Sequence, residues 1–293
     1  MAKGDGKKMS RKQEGIPGGL RSRTWKRFLK GPDSSLLEEL YVPGLSVAIR
    51  YDRCCSYFSS TVLSAAARGF AGLIERLEAM GDDAPRPAVR LVVNEVLAEE
   101  DVRAMLESGD LTALERELKK HFKKPKDILE KQRLQMLAWL VKKGFLAIRV
   151  GVMRRGKGIV HAKFGIITDA AGDSVVFSGS GNESASGLIA NYERLEVSTS
   201  WDDRERYEEY THEFEALWRD GHPDVHTVTL PEALRLQIIK FAPPEAMDLG
   251  VSMLGKYRLS GFAEVDCGDR DRFRPACGRE EIRTHAQIFN ILG

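Results

Sequence analysis

Residues 159 to 182 read IVHAKFGIITDAAGDSVVFSGSGN. Two short apolar runs on either side of a polar, glycine-containing turn predict a β-hairpin. Side chains alternate along an extended strand, so His161 and Lys163 point the same way. Ile159, Ala162, Phe164 and Ile166 can then be distributed over two buried faces. The second run, Ser174 to Phe177, leads directly into Gly179-Ser180-Gly181-Asn182, whose small residues let backbone amides approach an anion closely. An imidazole, an ammonium, a hydroxyl and a carboxamide would therefore converge where the hairpin opens, a grouping suited to holding phosphate.

The rest of the chain alternates strand-like and helix-like stretches. Trp25 to Leu40 reads as an entry helix interrupted at Gly31-Pro32, and Leu45 to Phe58 as a strand capped into the next helix by Ser59-Ser60-Thr61. In that helix Val62, Ala66, Phe70, Leu73 and Leu77 recur at intervals of three and four, giving one inward stripe. VRLVVNEV from Val89 is apolar enough for a sheet covered on both faces. Residues 99 to 143 predict a charged helical insert whose second helix turns Leu134, Leu137 and Val141 inward. Strands follow at Leu146–Met153, Glu193–Ser200 and Val225–Leu230, with helices at Asp202–Arg219 and Pro231–Phe241. Alternating β and α predicts a layered α/β domain over residues 25–243, preceded by a basic flexible arm (1–24) and followed by an irregular extension (244–293).

With 293 residues, 42% hydrophobic and 30% charged, the composition is that of a globular protein. No run of about 18 apolar residues is present, and the basic amino terminus lacks the apolar stretch of a signal peptide, so a cytoplasmic protein with no membrane contact is expected. Cys54 and Cys55 are adjacent, while Cys267, Cys277 and His285 fit no standard ligand spacing, so neither a disulfide framework nor a metal site is expected. The net charge of +2 is unevenly spread: residues 1–31 hold ten Lys or Arg against Asp5 and Glu14, leaving the remainder acidic. Cations such as Lys7, Lys8, Arg11, Lys12, Arg21 and Arg23 could release counterions from a nucleic-acid backbone, or form a solvated tail.

Two motif-like stretches carry less. Gly151 to Gly158 nearly spells a phosphate-binding loop, but Gly158 replaces the hydroxyl residue and a strand follows where a helix is needed. Arg154, Arg155 and Lys157 are read instead as a basic turn near His161, able to touch a substrate phosphate. His121-Phe122-Lys123 repeats the spacing of His161 and Lys163 with no Gly-Ser-x-Asn behind it, and is read as solvent-facing. His212, His222, His226 and His285 have no partners at informative spacing, and Trp139 and Trp218 are read as core.

His161-x-Lys163, Gly179-Ser180-x-Asn182 and Asn191-x-Glu193 together resemble the signature of the phospholipase D superfamily. One position departs: the family usually has Asp where this chain has Thr168, with Asp169 one place later. Residues 25 to 243 also bear a looser resemblance, strongest over Leu40 to Leu77, to the nuclease-like module found ahead of bacterial helicase motors in restriction and phage-defence loci. The first resemblance implies a mixed sheet flanked by helices, a catalytic set of His161, Lys163, Ser180, Asn182 and Glu193, and no cofactor or metal. Because the chain carries one signature, it implies a homodimer with a composite site and a phosphohistidine intermediate. The second implies DNA as substrate, with RNA left open, and a separately encoded helicase as a possible partner. A phospholipid hydrolase or phosphatidyltransferase, and a silent DNA-binding module, are the alternatives.

Overall fold

The computed structural model describes residues 18–30, 36–55, 67–94, 106–121, 128–155, 158–180, 194–240 and 242. Among these the strands are β1 (Phe28–Lys30), β2 (Ala48–Cys55), β3 (Val89–Asn94), β4 (Leu146–Met153), β5 (Phe164–Asp169), β6 (Ser174–Gly179), β7 (Arg194–Thr199) and β8 (Val225–Thr229). They form one eight-stranded sheet in the order β1-β7-β6-β5-β2-β3-β4-β8. β2, β3 and β4 run parallel, and the other pairings are antiparallel, so the expected mixed α/β architecture is observed.

The helices are α1 (Val42–Leu45, continuing a π-helical turn at Leu37–Tyr41), α2 (Ala67–Met80), α3 (Thr112–His121), α4 (Ile128–Lys142), α5 (Arg204–Trp218) and α6 (Glu232–Ile239). One face of the sheet carries the larger core, in which Tyr51, Leu91, Ile148, Ile167 and Phe177 meet Phe70, Leu73 and Leu77 of α2 and Trp139 of α4. The other face carries a smaller core, in which Cys54, Val92, Phe164, Ile166 and Val176 pack on Phe214 and Leu217 of α5. Burial on both faces is why the strands read as continuous apolar runs rather than alternating ones.

The expected elements recur with shifted ends, apart from two differences. Trp25–Leu40 does not form one entry helix: Phe28–Lys30 is an edge strand paired to β7, and described helical residues are found from Leu36. Pairing with a neighbouring strand, which local spacing cannot reveal, decides so short a stretch. In α4 the whole run Met136–Val141 is buried rather than a stripe, so this helix is part of the layer covering the sheet. Leu137 and Val141 are inward as expected, whereas Val62 and Ala66 lie outside the described residues.

The segment from Gly18 to Thr24, expected to belong to a flexible arm, is bound to the sheet. Leu20 is fully buried and donates its N–H to Asp169 Oδ2 at 2.8 Å, and the Arg21 guanidinium grips Asp173 at 2.6 Å while lying over the Trp201 ring. One buried leucine with a charge-assisted bond beside it is enough to hold so short a piece.

Across the smaller core a buried charge group joins sheet to helix. Arg90 donates to both carboxylate oxygens of Asp52, at 2.6 and 2.7 Å, and reaches Glu215 of α5 at 2.8 Å. Its guanidinium also lies over the rings of Phe214 and Trp218. The parallel register that sets Asp52 beside Arg90 makes this pairing possible.

Candidate active site

The β5–β6 hairpin presents its open end to solvent and its turn to the segment around Leu20. Val175 and Phe177 face the larger core, and Phe164, Ile166 and Val176 the smaller, so the pair is fixed from both sides. At the open end the regular strand begins at Phe164, five residues after the apolar pattern starts at Ile159. The ladder is nevertheless prolonged by one bond, from Gly179 N–H to the Lys163 carbonyl at 3.1 Å. Upstream, Asn94 at the end of β3 accepts the Val160 N–H at 2.8 Å, anchoring the approach to His161.

His161 is exposed, and Lys163 Nζ lies 2.7 Å from its Nε2. Because an ammonium can only donate, Nε2 presents its lone pair and the ring proton is assigned to Nδ1. Partial burial, seconded by the Lys163 charge, holds the imidazole below its ordinary pKa, so the neutral, nucleophilic form persists to lower pH than in a free histidine. Cys54 lies behind this pair, fully buried; burial pushes its thiol up to about 12, so it remains an inert thiol.

Ser180 follows Gly179 at the same end. Its N–H donates to the Arg194 carbonyl at 3.2 Å and its Oγ accepts the Arg194 N–H at 3.1 Å, fixing the turn out of β6 against the start of β7. Gly179 is required here: a Cβ would run into the Arg194 carbonyl oxygen and come within 2.9 Å of Leu195 Cδ2. His161, Lys163 and Ser180 are thus brought to one end of the hairpin, as the motif spacing leads one to expect. Asn182 and Glu193, like Lys157 and Lys7, Lys8, Arg11 and Lys12 of the arm, lie outside the described residues.

Asp169 is at the opposite end, in the turn. It accepts N–H groups from Leu20, Ala171 and Asp173, at 2.8, 2.9 and 3.1 Å, and is buried. Those bonds make it a turn-forming residue, while Thr168 meets Ser174 across the strands, their hydroxyls 2.9 Å apart. Arg21 is at that same far end, engaged by Asp173. Arg154 is spent within the fold, donating to the carbonyls of Asp220, His222 and Val225 and to the Asp220 carboxylate at 2.6 Å; Arg155 beside it is exposed.

Sequence spacing missed the pairing of His226 Nδ1 with Asp220 at 3.0 Å and of His222 with Glu213 at 3.5 Å. It also missed Asn94, Arg194 and the Asp52–Arg90–Glu215 group. The available signal was a charged or amide residue inside or closing an otherwise apolar strand, as at Arg90 and Asn94. Among the described residues no helix is long and apolar enough to cross a membrane.

No family model matches the chain, and no curated protein matches it. Among solved structures it is similar to NucT from Helicobacter pylori, at 15% identity and a TM-score of 0.38, over 68% of this chain and 96% of that one. It is also similar to phosphatidylserine synthase from Haemophilus influenzae, at 14% identity and a TM-score of 0.37, over 79% of this chain and 46% of that one. A third likeness, at 14% identity and a TM-score of 0.37, over 67% of this chain and 95% of that one, is to Nuc from Salmonella typhimurium, a member of the phospholipase D family, whose superfamily signature the motifs around His161 and Ser180 resemble.

Proposed function

We propose that the chain is a phosphodiesterase acting on DNA, with His161 as nucleophile and a second copy of the chain completing the site. The observation that supports this is the lysine ammonium held 2.7 Å from the lone pair of an exposed imidazole, at the end of a hairpin that also delivers Ser180. A phosphate bound between them would draw Lys163 onto its non-bridging oxygens and release Nε2 for attack. The N–P bond forms as the P–O bond to the leaving group breaks, giving a phosphohistidine. The leaving oxygen takes its proton from the same histidine of the second copy, protonated there. Water then attacks phosphorus, returns a proton to that histidine, and frees His161.

Lys163 supplies the charge that stabilises the equatorial oxygens, the task metal ions perform in other phosphodiesterases. DNA as substrate is supported by the cationic surplus of the first 31 residues. A restriction or phage-defence setting beside a separately encoded helicase rests on the resemblance over residues 25–243.

The test uses bis(p-nitrophenyl) phosphate and plasmid DNA, each in EDTA, with the parent chain and His161→Asn. Turnover of both substrates by the parent, a phosphorylated His161 trapped by rapid quenching, and silence of the variant are expected. Loss of parent activity on chelation, or activity surviving in His161→Asn, overturns the scheme. Preference for phosphatidylcholine over plasmid overturns the choice of DNA.

A further inference from the structure

A second binding surface lies along the β1–β7 edge of the sheet. β7 joins it to the candidate active site: its first residue, Arg194, is bonded to Ser180, and its last residues, Ser198 and Thr199, line a groove of about 530 Å³. The groove begins at Glu196, two residues from Arg194, and runs to Thr199, five residue steps or roughly 17 Å along the strand from Arg194. Phe28 and Lys30 of β1 are exposed on the same side of their strand, with Leu29 buried opposite. They pair in register with Glu196 and Arg194, and the Arg194 guanidinium lies 5.6 Å from the centre of the Phe28 ring. Phe28, half exposed, is the largest apolar residue so displayed among the described residues. Beyond it the groove is walled by Trp25, Trp201, Arg23 and Arg27.

Three arginines (Arg23, Arg27 and Arg206) and three acids (Glu196, Asp202 and Asp203) line the groove, but they are not paired one to one. Its acids are engaged: Arg206 lies 3.6 Å from Glu196 and 3.5 Å from Asp203, Asp203 also caps α5, and Asp202 accepts the Thr199 hydroxyl at 3.0 Å. Arg23 and Arg27, by contrast, have no carboxylate partner among the described residues. Arg23 Nε is buried without a hydrogen-bond partner, and Arg27 is exposed. A desolvated donor of this kind is costly unless a ligand acceptor meets it. Guanidinium groups without an ion-pair partner among the described residues, interleaved with aromatic faces, match a chain of phosphates and stackable bases better than a lipid or a peptide.

We propose that this edge is a track for single-stranded nucleic acid, carrying the strand away from the phosphate held at His161 and Lys163, past Arg194 and Phe28, into the Trp25–Trp201 groove. The track rests on the function proposed above, and it names the substrate more narrowly: a single strand, or a duplex opened next to the scissile bond.

Binding of a fluorescein-labelled oligothymidylate is measured by anisotropy over a range of salt in the full-length His161→Asn chain, alone and with either Arg23→Gln/Arg27→Gln or Phe28→Ala added. The arginine pair is expected to weaken binding at least tenfold and to flatten the slope of log affinity against log salt by about 0.7 per arginine. Phe28→Ala is expected to weaken binding five- to tenfold. The same additions in a chain retaining His161 leave turnover of bis(p-nitrophenyl) phosphate unchanged. Unaltered oligonucleotide affinity in both variants, with small-diester turnover intact, overturns the track and leaves the hydrolytic reading standing. Oligonucleotide binding that depends on these residues in a chain with no diesterase activity sinks the hydrolytic reading alone. Displacement of the oligonucleotide by poly-glutamate at equal charge concentration shows a general anion surface and overturns the track.

Discussion

Replacing Gly179 by alanine tests whether the exit of the hairpin sets the site. Its φ is +156°, a region that essentially only glycine occupies, and holding an alanine there costs about 1–3 kcal/mol. The added methyl also meets the Arg194 backbone, which cannot swing aside as a flexible side chain would, so overpacking of about 1–3 kcal/mol is added. The sum, about 2–6 kcal/mol, corresponds to a fall in melting temperature on the order of 10 °C for a domain of this size. Gly172 is the internal control: it has φ of +81° with nothing within 4 Å of where a Cβ would stand, so its alanine variant carries the backbone cost of about 1–2 kcal/mol alone. Relief of the overlap in Gly179→Ala requires β6 to part from β7 where Ser180 and Arg194 bond, so turnover of bis(p-nitrophenyl) phosphate should fall at least a hundredfold at a temperature where the variant is folded. Urea unfolding of both variants, with activity measured on the same samples, decides the matter. Equal destabilisation of the two, or a folded Gly179→Ala with parental turnover, refutes the reasoning.

Other consequences can be measured separately. Lys163→Ala removes a charge that holds the His161 imidazole down, so the acidic limb of kcat/KM should move up toward the ordinary histidine value, read from a pH–rate profile, as well as losing amplitude. Asp52→Ala leaves the Arg90 guanidinium buried with Glu215 as its remaining carboxylate; it should cost about 3–5 kcal/mol in urea unfolding, most of which Asp52→Ala/Arg90→Met recovers. Arg154→Ala should lower stability by about 1–2 kcal/mol through loss of its bonds to Asp220 and neighbouring carbonyls, with no change in the salt dependence of oligonucleotide binding.

The apolar strands and amphipathic helices were readable because burial imposes period and composition directly: β3, β4 and α5 fall within a few residues of their expected limits. β1 was not readable, since three residues have no period and their state is set by Arg194–Glu196 across the sheet. The candidate site was legible as a list of residue types at fixed spacing, of which His161, Lys163 and Ser180 meet at one end of the hairpin while Asn182 and Glu193 lie outside the described residues. What spacing could not convey was long-range pairing: Asp169 with Leu20, Arg154 with Asp220, and Asn94 with Val160 are each separated by 66 residues or more. Thus two cations read as contacts for a ligand, Arg21 and Arg154, are held by carboxylates of the fold itself.

The bonds from Leu20 and Arg21 to the hairpin turn have a mechanical consequence. The β5–β6 pair is held by β2 and β7 along its flanks and by the Ser180–Arg194 bonds at its tip, so the clamp at its root is one restraint among several, and the one supplied by a short segment from outside the ladder. Trimming the chain to begin after Thr24 would release the root alone, so the turn should loosen while the His161–Lys163 pair, tied to its own neighbours at the far end, keeps its spacing.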